Sequence, residues 1–173
     1  MKKITCLFIV LFAAMGLQAQ TEQGSLMLGG NLGFSSSSVK DVDGAVTDFS
    51  ISPTVGYFVI DNLALGAGFS YVSSKNTLGG ADATASAFGF GPFVRYYLEN
   101  RLFGQLGFDL LSSKANDGDA VNGTWITPRI GYAAFLNDYV SIEPSVYYSI
   151  GGGDLYKDWS QFGLSVGFNI YLH

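Results

Sequence analysis

The chain has 173 residues, of which 48% are hydrophobic, 15% aromatic and only 13% charged, with 23 glycines and 4 prolines. So much apolar and aromatic side chain excludes disorder, and glycines without a period of three exclude collagen. With 14 acidic against 9 basic residues the net charge is −5, which excludes a basic nucleic-acid surface.

Lys2 and Lys3 precede an apolar run from Ile4 to Leu17 broken only by Thr5, and Leu17-Gln18-Ala19 offers a small residue before Gln20. This pattern predicts a cleaved signal peptide over 1–19 and a single mature domain over 20–173. A retained anchor helix is the alternative, but the run is shorter than the roughly 20 apolar residues that a spanning helix needs. Cleavage would remove Lys2 and Lys3, leaving 7 basic groups against 14 acidic ones. The sole cysteine, Cys6, starts the apolar run, away from any position for lipid attachment, so the mature domain has neither a disulfide nor thiol chemistry. No later segment is apolar for long enough to cross a membrane as a helix.

From Ser25 onward the hydrophobic period is 2. Eight strands are predicted: Ser25–Ser36, Thr47–Val59, Leu63–Ser74, Thr84–Leu98, Arg101–Ser113, Gly123–Leu136, Tyr139–Ile150 and Trp159–Leu172. Longer polar connections alternate strictly with tight turns at Asp61-Asn62, Glu99-Asn100 and Asn137-Asp138, so the long loops share one end and the tight turns the other. A repeat supports the count. Pro53, Pro92 and Pro128 are each followed four residues later by Tyr57, Tyr96 and Tyr132, at the spacing of one hairpin unit.

In the second strand Phe49, Ile51, Pro53, Val55, Tyr57 and Val59 oppose Ser50, Ser52, Thr54 and Gly56. In the last, Phe162, Leu164, Val166, Phe168, Ile170 and Leu172 oppose Gln161, Gly163, Ser165, Gly167 and Asn169. A water-facing stripe would carry Lys and Glu, whereas this one is Gly and Ser. The bulky set is too large for the interior of eight strands and is expected to face lipid. A sheet in hydrocarbon can have no free edge, so the expected fold is all-β, an eight-stranded antiparallel up-and-down transmembrane barrel. On the outward parity Tyr57 and Tyr96 lie near tight turns, and Phe34, Phe49, Tyr71 and Tyr148 near long loops, as two lipid-facing aromatic girdles. Val72, Phe103, Leu111 and Phe135 are apolar on the inner parity, and the four prolines on outward positions call for bulges.

The stretches Gly29-Gly30-Asn31-Leu32-Gly33-Phe34 and Ser52-Pro53-Thr54-Val55-Gly56-Tyr57-Phe58-Val59, with Asp61-Asn62-Leu63-Ala64-Leu65-Gly66 and the final strand, resemble the small outer-membrane β-barrel family often labelled porin-like, akin to the OmpX and OmpA transmembrane barrels. The resemblance spans essentially the whole mature chain. It implies an outer-membrane location in a Gram-negative bacterium and insertion by the barrel assembly machinery. That machinery would read the C-terminal strand, here Phe162, Leu164, Val166, Phe168, Ile170 and Tyr171. Family members usually end in an aromatic residue, whereas this chain ends Tyr171-Leu172-His173. No catalytic residue and no cofactor are implied.

The residues themselves point the same way. His173 is the only histidine, which leaves no His-dependent nucleophile, and there is no His/Cys cluster for a metal. Four charges fall on the inward parity, Arg95, Asp109, Arg129 and Glu143. Counted from the tight turns, Arg95 matches Glu143 in depth and Asp109 matches Arg129, which predicts two opposite-charge pairs inside the barrel. The loops hold Asp41, Asp43, Asp82, Asp117, Asp119, Asp154 and Asp158 against Lys40, Lys75, Lys114 and Lys157. Outer-membrane lipid, including lipopolysaccharide bridged by divalent cations, and an unidentified loop partner are the expected contacts. Three roles remain open: a structural or surface-interaction barrel acting through its loops, a narrow channel for ions or small solutes, and a soluble barrel binding an apolar ligand.

Overall fold

The computed structural model describes residues 21–37, 43–80, 82–115, 120–153 and 160–173, except the side chains of 33–37 and 115. The predicted leader and most of the charged loop residues lie outside them. The strands are β1 (Leu26–Ser37), β2 (Val46–Ile60), β3 (Leu63–Asn76), β4 (Ala83–Tyr97), β5 (Leu102–Ala115), β6 (Val121–Tyr132), β7 (Ala134–Phe135), β8 (Val140–Gly152) and β9 (Ser160–Leu172). The order β6-β5-β4-β3-β2-β1-β9-β8-β7, closed by pairing of β6 with β8, makes a ring that is antiparallel throughout. The two-residue β7 continues β6 beyond Ala133, whose N–H donates to the Arg101 carbonyl at 2.9 Å on the β5 side, and the register against β8 is the same at Gly131–Ser145 and Ala134–Ile142. One predicted strand, Gly123–Leu136, is therefore two segments, and the barrel has eight walls.

Asn62 and Arg101 adopt positive φ at two of the tight turns, and the Leu136 N–H closes the third onto the Val140 carbonyl at 2.8 Å. The N-terminal segment lies at this same end. The Thr21 hydroxyl donates to Asn62 Oδ1 at 2.6 Å, and the Gln23 N–H donates to Asp61 Oδ1 at 2.8 Å. Between the long connections, the Thr77 N–H bonds the Ala45 carbonyl and the Gly79 N–H bonds the Asp43 carbonyl, so the first two loops support one another. Lys75 and Asp82 form an exposed ion pair at 3.8 Å, which contributes little in water.

The outer surface carries the large apolar side chains, Ile51, Val55, Leu65, Phe90, Leu106, Ile130 and Phe168 among them. This arrangement rules out the soluble barrel, whose exterior must be polar. Val59 departs from its predicted outward place. The β2–β3 register shifts between Phe58 and Ile60, so Val59 is half-buried and Ile60 emerges instead. The prolines are accommodated without bulges. Pairing is interrupted across the turn-linked neighbours at Pro53 (between Ile51 and Thr54), Pro92 (between Phe90 and Phe93) and Pro128 (between Ile126 and Arg129), and the register resumes unchanged. A missing N–H removes ladder bonds but inserts no residue, so nothing forces a shift. At the third gap the Thr127 and Ser149 hydroxyls bond at 2.9 Å across the lumen side.

The core sits at the tight-turn end and comprises Met27, Phe58, Ala64, Phe93, Tyr97, Phe103, Ala133 and Tyr171, with Phe135 against them. Glycines on the inner parity make sockets for it. A Cβ on Gly66 would enter the Phe93 ring, and one on Gly131 the Phe103 ring. At Gly68 a Cβ would meet Thr54 Cγ2 at 3.5 Å and the Pro53 carbonyl at 3.9 Å, both ordinary contacts. Gly131→Val is therefore expected to destabilise the barrel by about 1–3 kcal/mol through overpacking, and Gly68→Ala to be near neutral. Urea unfolding of the vesicle-inserted protein measures both.

Candidate functional site

The inner parity reads Ser, Gly and Thr along most of the wall, but near the tight turns it brings in Tyr97, Phe103, Phe58 and Tyr171. Tyr97 and Phe103 face one another across the turn after β4 with ring centroids 5.5 Å apart. Phe58 packs on Tyr97 at 5.8 Å, and Phe135 packs on Tyr171 at 5.1 Å. These rings close the lumen at this end.

On top of them lies a buried ion pair. Arg95 Nη1 donates to Glu143 Oε2 at 2.7 Å, with both side chains almost wholly excluded from solvent. Arg95 Nε donates to Gln105 Oε1 at 2.7 Å, Nη1 also reaches the Tyr97 hydroxyl at 2.9 Å, and the guanidinium lies 4.4 Å from the Phe103 ring centroid. Glu143 Oε1 accepts from the Tyr171 hydroxyl at 2.6 Å and from Ser141 at 3.0 Å. Both carboxylate oxygens are thus satisfied, which a buried charge requires. Tyr97 and Tyr171 join through their hydroxyls at 2.9 Å, so four strands are tied across the barrel.

Asp109 and Arg129 are not within ion-pair distance. Gln105, not Asp109, stands opposite Arg129, and Asp109 stands opposite Trp125. Strand tilt and stagger separate residues that counts from the turns make level. Arg129 Nη1 donates instead to Ser145 Oγ at 3.2 Å, its guanidinium lies 5.3 Å from the Tyr147 ring centroid, and its buried Nε has no hydrogen-bond partner. Above the plug, toward the long loops, Asp109, Arg129, Gln105, Thr127 and Trp125 line a polar cavity of about 320 Å³. Among the described residues, no group of three His, Cys, Asp or Glu could hold a metal ion.

Of the proposed girdle residues, Phe49, Tyr57, Tyr96 and Tyr148 are exposed on the outer face. Tyr71 is half-buried against Phe88 at 4.9 Å. Phe34 pairs through its backbone with Phe49, and its side chain lies outside the described ones. In the C-terminal strand Phe162, Leu164, Val166, Phe168 and Ile170 face outward, whereas Tyr171 is fully buried in the plug. Tyr97 and Ser141 are site residues that the sequence reading did not single out, and Tyr171, expected only as part of the C-terminal assembly strand, joins them in the plug. For Tyr97 and Ser141, inward parity beside a tight turn was the available signal.

No protein-family model matches the chain, and no curated protein matches it. Solved structures do. The outer membrane protein OprG from Pseudomonas aeruginosa superposes with a TM-score of 0.50 at 12% identity, covering 91% of this chain and 100% of that one. Neisserial surface protein A aligns with a TM-score of 0.47 at 18% identity over 84% and 94% of the two chains. OmpT of Vibrio cholerae aligns at 0.40 and 15% identity, and only 52% of its length is covered. The chain has the fold of small, eight-stranded outer-membrane β-barrels.

Removing one partner of the buried pair should be costly, at about 3–5 kcal/mol, because the other charge remains buried and unpaired. In a double-mutant cycle of Arg95→Ala and Glu143→Ala, read by urea unfolding in vesicles, the double variant is expected to lose less than the two single losses combined. Simple additivity would show that the two side chains do not couple.

Proposed function

We propose that the chain is a non-enzymatic integral protein of a Gram-negative outer membrane, exported by a signal peptide cut after Ala19. Its role is structural or interactive at the cell surface, carried by the long loops, because function lives in sites grafted on a fold. One observation carries this reading: the Arg95–Glu143 pair with Tyr97, Phe103, Phe58 and Tyr171 fills the barrel at the tight-turn end. A filled lumen leaves the loops as the part able to meet a partner. The one histidine of the chain, His173, stacks on Tyr139 with ring centroids 5.4 Å apart. We infer that the assembly machinery inserts the barrel through β9, and that the acidic loops meet lipopolysaccharide through divalent cations. A second reading, a narrow ion or solute channel, is favoured by the polar cavity above the plug.

Planar-bilayer recording separates the two. The purified mature barrel is expected to give no resolved conductance steps, whereas reproducible steps would establish the channel reading instead. On intact cells, added protease is expected to cut the long loops and spare the tight turns; the reverse pattern would place the loops in the periplasm.

A further inference from the structure

The plug occupies only the tight-turn end of the lumen, and the space above it is built asymmetrically. The cavity of about 320 Å³ rests on Phe93 and Gln105, one in the core and the other bonded to Arg95, so it has a floor below and the long loops above. On the side of β2, β3 and β4 its wall is small, with Ser52, Thr54, Gly68, Ser70 and Gly91. On the side of β5, β6 and β8 the wall is large, with Asp109, Trp125, Arg129 and Tyr147. Trp125 stands between Asp109 on β5 and Gly151 on β8. Tyr147 lies over Gly163, where any Cβ would enter its ring, and the Arg129 guanidinium sits 5.3 Å from that ring's centroid. Two inward aromatic rings therefore border a hollow whose other walls are mostly hydroxyls, amides and glycine backbone.

The charges decide what fits. Asp109 and Arg129 are the two charged side chains of the cavity, one of each sign, and they do not face one another across the ladder. An ion of either sign would meet one like charge, which is costly in a confined site. A neutral ligand with hydroxyls uses both. Asp109 only accepts, the Arg129 guanidinium only donates and has N–H groups beyond the one that bonds Ser145, and the Gln105, Gln161 and Asn31 amides do either. Trp125 and Tyr147 call for a flat face of C–H groups, whose partial positive charge suits the negative face of an aromatic ring. Hydroxyl edges and C–H faces occur together in a pyranose ring, whereas a small zwitterion would satisfy the charges and leave the rings without a partner. The volume is at the small end of ligand cavities, which run from about 300 to 1,000 Å³, so it admits one ring rather than a chain. We propose that the upper lumen is a dead-end seat for a single neutral pyranose with equatorial hydroxyls, free or at the end of a glycan, entering from the loop side. This seat goes beyond the role given to the loops and rests on the folded barrel alone.

Glucoside and maltoside detergents would compete, so the test uses the purified mature barrel in a polyoxyethylene detergent, with heat-modifiable gel migration as the check on folding. The probe is methyl β-D-glucopyranoside, read by saturation-transfer NMR. The expected result is saturable transfer, strongest to the ring C–H protons. Trp125→Ala should weaken binding about tenfold and Trp125→Phe less. Gly68→Leu, at a glycine with room for a Cβ, would fill the hollow and should abolish binding. Sorbitol, which has the hydroxyls but no ring face, and free glycine, a small zwitterion, should fail to displace the glucoside at equal concentration. Unchanged binding in Trp125→Ala or in Gly68→Leu overturns the seat, as does displacement by sorbitol or by free glycine. Gly68→Leu carries the test should Trp125→Ala not fold. Transfer to the end ring of cellotetraose would support the end of a glycan as the occupant, and exclusion of cellotetraose would support a free sugar. A heat-modifiable wild-type barrel without saturable transfer removes the seat alone, whereas a chain without heat-modifiable migration removes the membrane-barrel reading together with the seat.

Discussion

Hydrocarbon offers a backbone no hydrogen-bond partner, and every other feature of this molecule answers to that fact. An N–H or C=O within the bilayer that lacks a partner in a neighbouring strand is costly, so the sheet closes and its last strand returns to its first, although over only five pairs. The loop-linked seams between β1 and β2, β3 and β4, and β5 and β6 are paired without interruption. The turn-linked seams each lose pairing at a proline, yet the ladder resumes in register on the far side, so the gap stays local. Where hydroxyls face such a gap from inside, as Thr127 and Ser149 do, a side-chain bond spans it.

Closure and the lumen plug turn out to be one structure. The five rungs that join β1 to β9 include Met27 opposite Tyr171, and both side chains turn inward into the core. Two rungs higher, Gly29 leaves room for the Asn169 side chain, which would overlap any Cβ there. Tyr171 then reaches Glu143 on β8, and Glu143 reaches Arg95 on β4. The ring is thus braced across its interior at the level where its closing seam is paired. A buried ion pair on its own is weak evidence for stability. Here its weight lies in the geometry it imposes, because satisfying both Glu143 oxygens fixes the relative placement of β4, β8 and β9.

The architecture was legible because period 2 and alternating connection lengths leave few alternatives. The outward side chains of β2 and β9 follow the predicted stripe apart from Val59, which a local register shift turns partly inward. Arg95 and Glu143 meet because both lie close to their tight turns, where a count of residues accumulates little error. Asp109 and Arg129 lie farther along their strands, and there barrel stagger, which sequence does not display, makes a count misleading. The proline gaps were misread as bulges because composition reveals a missing donor but not whether the partner strand slips. Phe103 and Phe135 looked like flaws in the alternation. Phe103 belongs to the plug and Phe135 packs against it, and inward aromatics beside a tight turn in a barrel of eight should be read as filling.

The parting of β1 from β9 also has a cause in composition. The register of a strand is held by cross-strand side-chain pairs, and glycine-rich strands hold it weakly. From Gly29 to Ser37, β1 reads Gly-Gly-Asn-Leu-Gly-Phe-Ser-Ser-Ser, while the facing half of β9 carries Gly163, Ser165 and Gly167 on its inner parity. Gly30, at a φ of 156°, would set a Cβ against the Ser52 carbonyl, so it stands at the last paired rung in a conformation that suits glycine. Below it Leu26, Met27 and Leu28 pack against Leu172, Tyr171 and Ile170, and the seam holds. Above it the inner parity of the two edges carries small side chains, and the Ser165 hydroxyl donates to Asn31 Oδ1 at 3.2 Å. The same glycines and serines that leave room for the polar cavity of the upper lumen also leave its wall fewer ladder bonds, so the cavity and the short seam follow from a single choice of residues.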